Sequence, residues 1–211
     1  MIPASLDCHM ASDRSVSVPA GAVLLAAGEA RRMGGRPKCL LELCGVPLIR
    51  RNLAALSGAG VDEIVVVLGH RADEIEPTLQ DFPVTILRNA DYALGQMVSL
   101  HVGLAALSDR LHAFIVAMAD QPLLDAQDVT DLIGAYERRG PASAVVPYVD
   151  GERGNPIILD AAVREAVLAG DAGFGCRQWL AANPERVLRL EGNNRHYCID
   201  IDSPQDIERF V

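Results

Sequence analysis

The 211-residue sequence has no apolar run of the ~20 residues needed to cross a bilayer as a helix. Its first twenty residues also lack the apolar core of a secretory signal, so the chain reads as a cytoplasmic protein. Cysteine is sparse: Cys8, Cys39, Cys44, Cys176 and Cys198 are odd in number and form no C-x-x-C pair. That excludes a disulfide scaffold and implies reduced thiols. Cys39 and Cys44 have no matching Cys/His pair at zinc-ligand spacing. Positive charge is also in short supply, with 19 Lys and Arg against 28 Asp and Glu and a net charge of −9. A broad basic surface for nucleic acid or anionic membrane is therefore not expected. An anionic ligand must instead be met by a local basic patch. No repeat, low-complexity tract or Pro/Gly/Ser-rich linker divides the chain.

Half of the residues are hydrophobic and 22% are charged, which suits one globular domain over residues 19–211 behind a flexible tail over residues 1–18. Short apolar runs alternate with stretches of helical period. The runs predict strands over Ala22 to Ala27, Glu63 to Leu68, Val84 to Leu87, Ala113 to Ala119, Ser143 to Val149, Pro156 to Leu159, Val187 to Leu190 and Tyr197 to Ile201. Helices are expected over Leu48 to Gly58, Met97 to Leu107, Ala126 to Arg138 and Pro204 to Phe210. Uninterrupted apolar strands such as Ile64 to Leu68 belong in a parallel sheet covered on both faces. The βαβ order then predicts a three-layer α/β/α sandwich with a mostly parallel, Rossmann-like sheet, whose ligands bind beyond the carboxyl ends of its strands.

The segment Leu24-Leu25-Ala26-Ala27-Gly28-Glu29-Ala30-Arg31-Arg32-Met33-Gly34-Gly35-Arg36-Pro37-Lys38 is the most informative. A buried strand opens into small residues whose N–H groups can face phosphate oxygens. Four cations follow within the eight positions 31–38, where an even spread would place about 0.7. An acidic protein has thus focused positive charge on one loop, and a nucleoside triphosphate fits it. The loop lacks both the G-x-G-x-x-G dinucleotide fingerprint and the G-x-x-x-x-G-K-[ST] pattern of a P-loop. A solvated basic turn is the plain alternative.

Two acids complete the pattern. Asp120 closes the run Ala113 to Ala119, and Asp202 ends another before the helix-start signal Ser203-Pro204. Carboxylates from two strands beside a triphosphate supply the hard oxygen ligands that Mg²⁺ prefers. Each could instead cap the following helix. Asp200, two residues before Asp202, would share its strand face and could exchange roles with it. Asn89 before Asp91 is either a ribose neighbour or a turn residue. His70 follows a strand and a glycine and reads as a loop residue within reach of a nucleotide.

The loop, with Leu25-Ala26-Ala27-Gly28, then Arg32-Met33-Gly34, then Lys38, resembles the signature of the MobA-like nucleotidyltransferases, the family of molybdenum cofactor cytidylyl- and guanylyltransferases. Five further segments resemble family motifs in order: Gly95-Gln96-Met97-Val98-Ser99-Leu100, Met118-Ala119-Asp120-Gln121-Pro122, Gly154-Asn155-Pro156, Gly170-Asp171-Ala172-Gly173 and Asp200-Ile201-Asp202-Ser203-Pro204. Gln96 is an addition to the usual spelling, and Asn155 stands where the family has His. The resemblance covers residues 21–211 and implies a nucleotide-diphospho-sugar transferase fold. It places the nucleotide on Leu25, Ala26, Ala27 and Gly28, the phosphates on Arg32 and Lys38, and the base and ribose near Ser99. It also implies a phosphate-bearing acceptor, with molybdopterin foremost, and a recipient molybdoenzyme or its chaperone as a possible partner. Ala27 within Ala-Ala-Gly associates the chain with CTP rather than GTP. Guanylyl transfer and a non-catalytic molybdenum cofactor carrier are the alternative readings.

Overall fold

The computed structural model describes residues 18–29, 35–171 and 173–207. Apart from Val18, the expected tail lies outside the described residues, as do Arg31 and Arg32.

In chain order the elements are β1 (Ala20–Ala26), β2 (Glu42–Leu43), β3 (Val46–Pro47), α1 (Leu48–Gly58), β4 (Glu63–Leu68), α2 (Ala72–Ile75), β5 (Thr85–Arg88), α3 (Gln96–Ala106) and β6 (Ala113–Met118). There follow α4 (Ala126–Glu137), β7 (Ala144–Val149), β8 (Glu152–Arg153), β9 (Ile157–Asp160), α5 (Ala161–Ala169), α6 (Cys176–Ala182), β10 (Val187–Gly192) and α7 (Pro204–Ile207). The main sheet has the order β10-β7-β9-β6-β1-β4-β5, with β8 paired to β7. β1 pairs in parallel with both β4 and β6, and β4 with β5, while β9 runs antiparallel to β6 and β7.

All seven residues of β1 are buried, because the strand is central and covered on both sides. Its alternate residues go to opposite layers. Ala22, Leu24 and Ala26 join Leu53, Leu56, Val129 and Leu132 beneath α1 and α4. Val23 and Leu25 join Leu100, Leu104, Val163 and Trp179 beneath α3, α5 and α6. α3 lies close because Gly103 faces the sheet: a Cβ there would stand 2.4 Å from Val23 Cγ1. Arg164 from α5 satisfies the carbonyls at the end of α3, donating to Leu104 O at 3.0 Å and Leu107 O at 2.7 Å.

The strand expected over Tyr197 to Ile201 does not form. Residues Arg195–Cys198 make a 3-10 turn. Tyr197 turns its ring inward, and its hydroxyl donates to Asp128 O at 2.8 Å. The segment then meets the chain two residues beyond β6 through the backbone bond from Ile201 N to Asp120 O at 3.0 Å, rather than through a ladder. α5, α6 and the β2–β3 hairpin had no counterpart in the sequence reading.

The chain runs outward from β1 through β4 to β5, then returns to place β6 on the other side of β1. The crevice at such a reversal, beyond the carboxyl ends of β1 and β6, is where open α/β sheets bind ligands.

Candidate active site

Parallel register sets the frame. Leu25 is opposite Met118, so two residues past the ladder Ala27 and Asp120 emerge side by side at the same edge. Leu25 and Met118 line three adjoining cavities there, of about 260, 300 and 530 Å³.

The smallest is bounded by Ala27, Gly28, Tyr92, Gly95 and Ser99. A Cβ on Gly28 would meet no atom within 4 Å, so the space over that backbone belongs to no part of the described protein. Ser99 is 2% exposed, and its Oγ accepts a hydrogen bond from Asn89 Nδ2 at 2.9 Å. The Ser99 hydroxyl proton is thereby left to serve a ligand acceptor in the cavity. Asn89 Oδ1 accepts from Asp91 N at 2.9 Å, an Asx turn. With both ends of its amide engaged, Asn89 braces Ser99 from behind the cavity wall.

The middle cavity is bounded by Gly28, Pro37, Lys38, Cys39, Asp120 and Asp202. Pro37 opens a 3-10 turn, Lys38–Leu40, whose Cys39 is buried in the core. Lys38 is thus held at the cavity, with Nζ 2.5 Å from Asp202 Oδ1 and 4.0 Å from Asp120 Oδ2. The Asp120 carboxyl is pushed up to about 6, first by burial; Lys38 opposes this shift, and Asp200 and then Asp202 add to it. Burial, then the charge of Asp120, pushes the Cys39 thiol up to about 12, which removes it as a nucleophile near neutral pH. His70 supports the rim of the basic loop, with Nε2 3.3 Å from Gly35 O.

The largest cavity takes in Gln96, Asp120, Arg153, Asn155, Arg177 and Asp200. Asp200 and Asp202 therefore face different cavities: Ile201 between them is fully buried, and no strand places the two acids on a shared face. Gln121, 2% exposed, clasps this wall by donating from Nε2 to Asn155 O at 2.8 Å and Tyr197 O at 3.2 Å. Asn155 enters the wall partly through its backbone, so an imidazole is not needed for that contact.

The site brings together Leu25, Ala26, Ala27, Gly28, Lys38, Ser99, Asp120 and Asp202, with Asn89 behind them; Arg32 lies outside the described residues. Sequence reasoning missed Gln96, Arg153 and Arg177 as site residues. The two arginines lie 24 positions apart on separate elements and belong to no motif. A second acidic group, Asp125, Asp128 and His196, lies outside these cavities. Its hydrogen bonds account for it: Asp125 caps α4, and the Asp128 carboxylate accepts from Asp125 N, Asn194 Nδ2 and His196 Nδ1.

Residues 22–187 match the family model of the MobA-like NTP transferase domain. The chain is 31% identical to nicotine blue oxidoreductase of Paenarthrobacter nicotinovorans over 90% of its own length and 95% of that protein's. A nucleotidyl transferase from Methanothermobacter thermautotroptrophicus superposes with a TM-score of 0.73 at 26% identity, covering 90% of this chain and 94% of that one. The Mycobacterium tuberculosis H37Rv protein Rv0371c, solved in complex with manganese, shares the fold at 20% identity and a TM-score of 0.70, covering 92% and 98%. The chain belongs to the MobA-like NTP transferase family and is a nucleotidyltransferase. Its described residues contain no helix long and apolar enough to cross a membrane.

Proposed function

We propose that this chain, as one catalytic domain over residues 19–211 in the cytoplasm, transfers CMP from CTP to the terminal phosphate of molybdopterin and releases pyrophosphate. The observation that carries this reading is the convergence of Lys38, Asp120 and Asp202 on one cavity between two others. The smaller neighbour, at Ala27, Gly28 and Ser99, suits the nucleoside; the larger, with Arg153 and Arg177, suits an anionic acceptor.

Asp120 and Asp202 would hold a divalent cation, Mg²⁺ in this reading. The donors fit: Asp120 is desolvated and repelled by two further acids, a strain that a hard cation relieves. When bound, the cation neutralises phosphate oxygens of the nucleotide. Lys38 exchanges its exposed partner Asp202 for the phosphates. That exchange costs little, because an ion pair with a half-exposed carboxylate is worth about 1 kcal/mol or less. Arg32 joins Lys38 at the phosphates. An acceptor oxygen attacks the α-phosphorus, the bond from that phosphorus to the β-phosphate bridging oxygen breaks, and pyrophosphate leaves. A phosphate monoester has its second pKa near 6, so the attacking oxygen is already ionised and no general base is required. Positioning and charge neutralisation then carry the rate.

Pyrophosphate release with each NTP, with and without molybdopterin, tests the reading. Release with CTP that depends on molybdopterin supports it; a carrier would bind without release. Consumption of a reduced dinucleotide without pyrophosphate would replace it with the oxidoreductase activity named for the Paenarthrobacter relative.

A further inference from the structure

Most arginines that reach a partner in this acidic chain reach a carboxylate: Arg50 pairs with Asp81, Arg71 with Glu74, Arg88 with Asp73 and Glu76, Arg164 with Asp109, Arg189 with Glu191, and Arg195 with Asp150. Arg153 and Arg177 are different. They line one cavity of about 530 Å³, and no carboxylate of the described residues lies within ion-pair distance of either, although Glu152 and Asp200 line it too. Burial lowers the Arg153 pKa below its usual value, Tyr148 and Cys176 oppose that shift, and the positive charge of Arg177 adds to it. Two like charges thus share one cavity whose acids, Asp120, Glu152 and Asp200, form no ion pair with either, an arrangement that works against stability.

The backbone holds both in place. Arg153 sits opposite Tyr148 in the β7–β8 hairpin, whose two-residue turn has positive φ at Asp150 (53°) and Gly151 (81°). The next residue, Gly154, is pressed so closely on Tyr197 that a Cβ would stand 2.6 Å from Tyr197 Cβ. Arg177 is carried on α6, which is anchored by the buried Cys176, Trp179 and Leu180. Neither segment can swing its arginine away without breaking these contacts.

We propose that Arg153 and Arg177 form an oxyanion subsite for a phosphate monoester, the attacking phosphate of the acceptor. Guanidinium groups match phosphate in charge and in planar donor geometry. The subsite shares Asp120 as a wall with the cavity of Lys38 but does not include Lys38, so donor and acceptor phosphates meet separate cations. Naming the phosphate as the acceptor's rests on the proposed transferase reading; the subsite itself does not.

Inorganic phosphate is the probe, titrated calorimetrically into the whole chain carrying Arg32→Met and Lys38→Met, so that the two loop cations assigned to the nucleotide phosphates do not contribute. Phosphate is expected to bind, to bind more weakly by roughly 10- to 100-fold after Arg153→Gln and Arg177→Gln together, and to be largely restored by the two Lys replacements. Acetate is expected to bind more weakly than phosphate. If the double variant fails to fold, Arg177→Gln alone, at an exposed position, must still weaken phosphate binding. In steady-state assays of otherwise wild-type protein, the same changes should raise the acceptor KM and leave the CTP KM unchanged. Phosphate affinity indifferent to both arginines, no phosphate binding at all, or equal binding of acetate would overturn the proposal. Arginine-dependent phosphate binding in a protein that transfers no nucleotide would uphold the subsite and sink the transferase reading alone.

Discussion

Lys38 and Asp202, 164 positions apart in sequence, meet at 2.5 Å over the end of the central strand. The contact joins the loop after β1 to the segment before α7, and Asp120, two residues beyond β6, lies 4.0 Å from the same ammonium. Replacing Lys38 by Ala is expected to lower turnover on the order of 10² to 10³, the effect of losing one preorganised contact to developing charge, with a smaller effect on CTP binding. Steady-state kinetics beside equilibrium CTP binding would check this; near-normal turnover would remove Lys38 from the reaction.

Asp120→Asn keeps the shape of the side chain and removes a charged ligand, so the variant should fold and lose metal-dependent activity. A proton competes with the metal for Asp120, whose metal-free pKa is about 6. Metal affinity should therefore fall as pH drops below about 6, and a metal titration at pH 5 and pH 7 would show it.

The same carboxyl makes a stability prediction. Its folded pKa lies above the ordinary 3.8, so its contribution is fully present below pH 3.8 and is lost as pH rises through 6. Asp120→Asn should accordingly stabilise the metal-free protein at pH 7, by an amount on the order of 2 kcal/mol. Urea unfolding in chelator would measure it, and an unchanged midpoint would count against the burial of this charge.

Two glycines should separate ligand space from packing. Gly28→Val adds atoms where the described protein has none, so CTP binding should drop while the melting temperature holds. Gly103→Ala forces a Cβ to 2.4 Å from Val23 Cγ1 and 2.9 Å from Val67 Cγ2. Overpacking of that kind costs about 1 to 3 kcal/mol. A lower melting temperature for Gly28→Val, or none for Gly103→Ala, would reverse these assignments.

Ala27 tests the choice of nucleotide. A methyl-sized difference in a pocket is worth about 1 to 3 kcal/mol, so CTP should be preferred over GTP by roughly 10- to 200-fold, and Ala27→Gly should relax the preference. Equal kcat/KM for the two nucleotides in the unaltered protein would remove the cytidylyl assignment and leave nucleotidyl transfer standing.

The legible parts of this fold were those with a local cause. β1, β4 and β6 are central strands, and burial on both faces leaves a continuous apolar run that reads directly. α1 was legible to the residue, because its apolar face repeats with helical period. The run Tyr197 to Ile201 misled because its apolar residues serve different purposes: Tyr197 fills the space beside α4, and Ile201 packs with Leu41, Leu43 and Leu48. Lys38 stood out within the cluster of cations that follows the first strand, and Asp120 and Asp202 through their place at the ends of apolar runs. Arg153, Arg177 and the clasp by Gln121 did not, since only tertiary contact gives them a common cavity.

The most direct measurement is a single-turnover reaction with CTP labelled at its α-phosphate, Mg²⁺ and molybdopterin. The label is expected to move into the acceptor with one pyrophosphate released per label transferred, and the transfer is expected to fail in Asp120→Asn. Label that stays in CTP, or that appears only as free CMP while molybdopterin is unchanged, would contradict it.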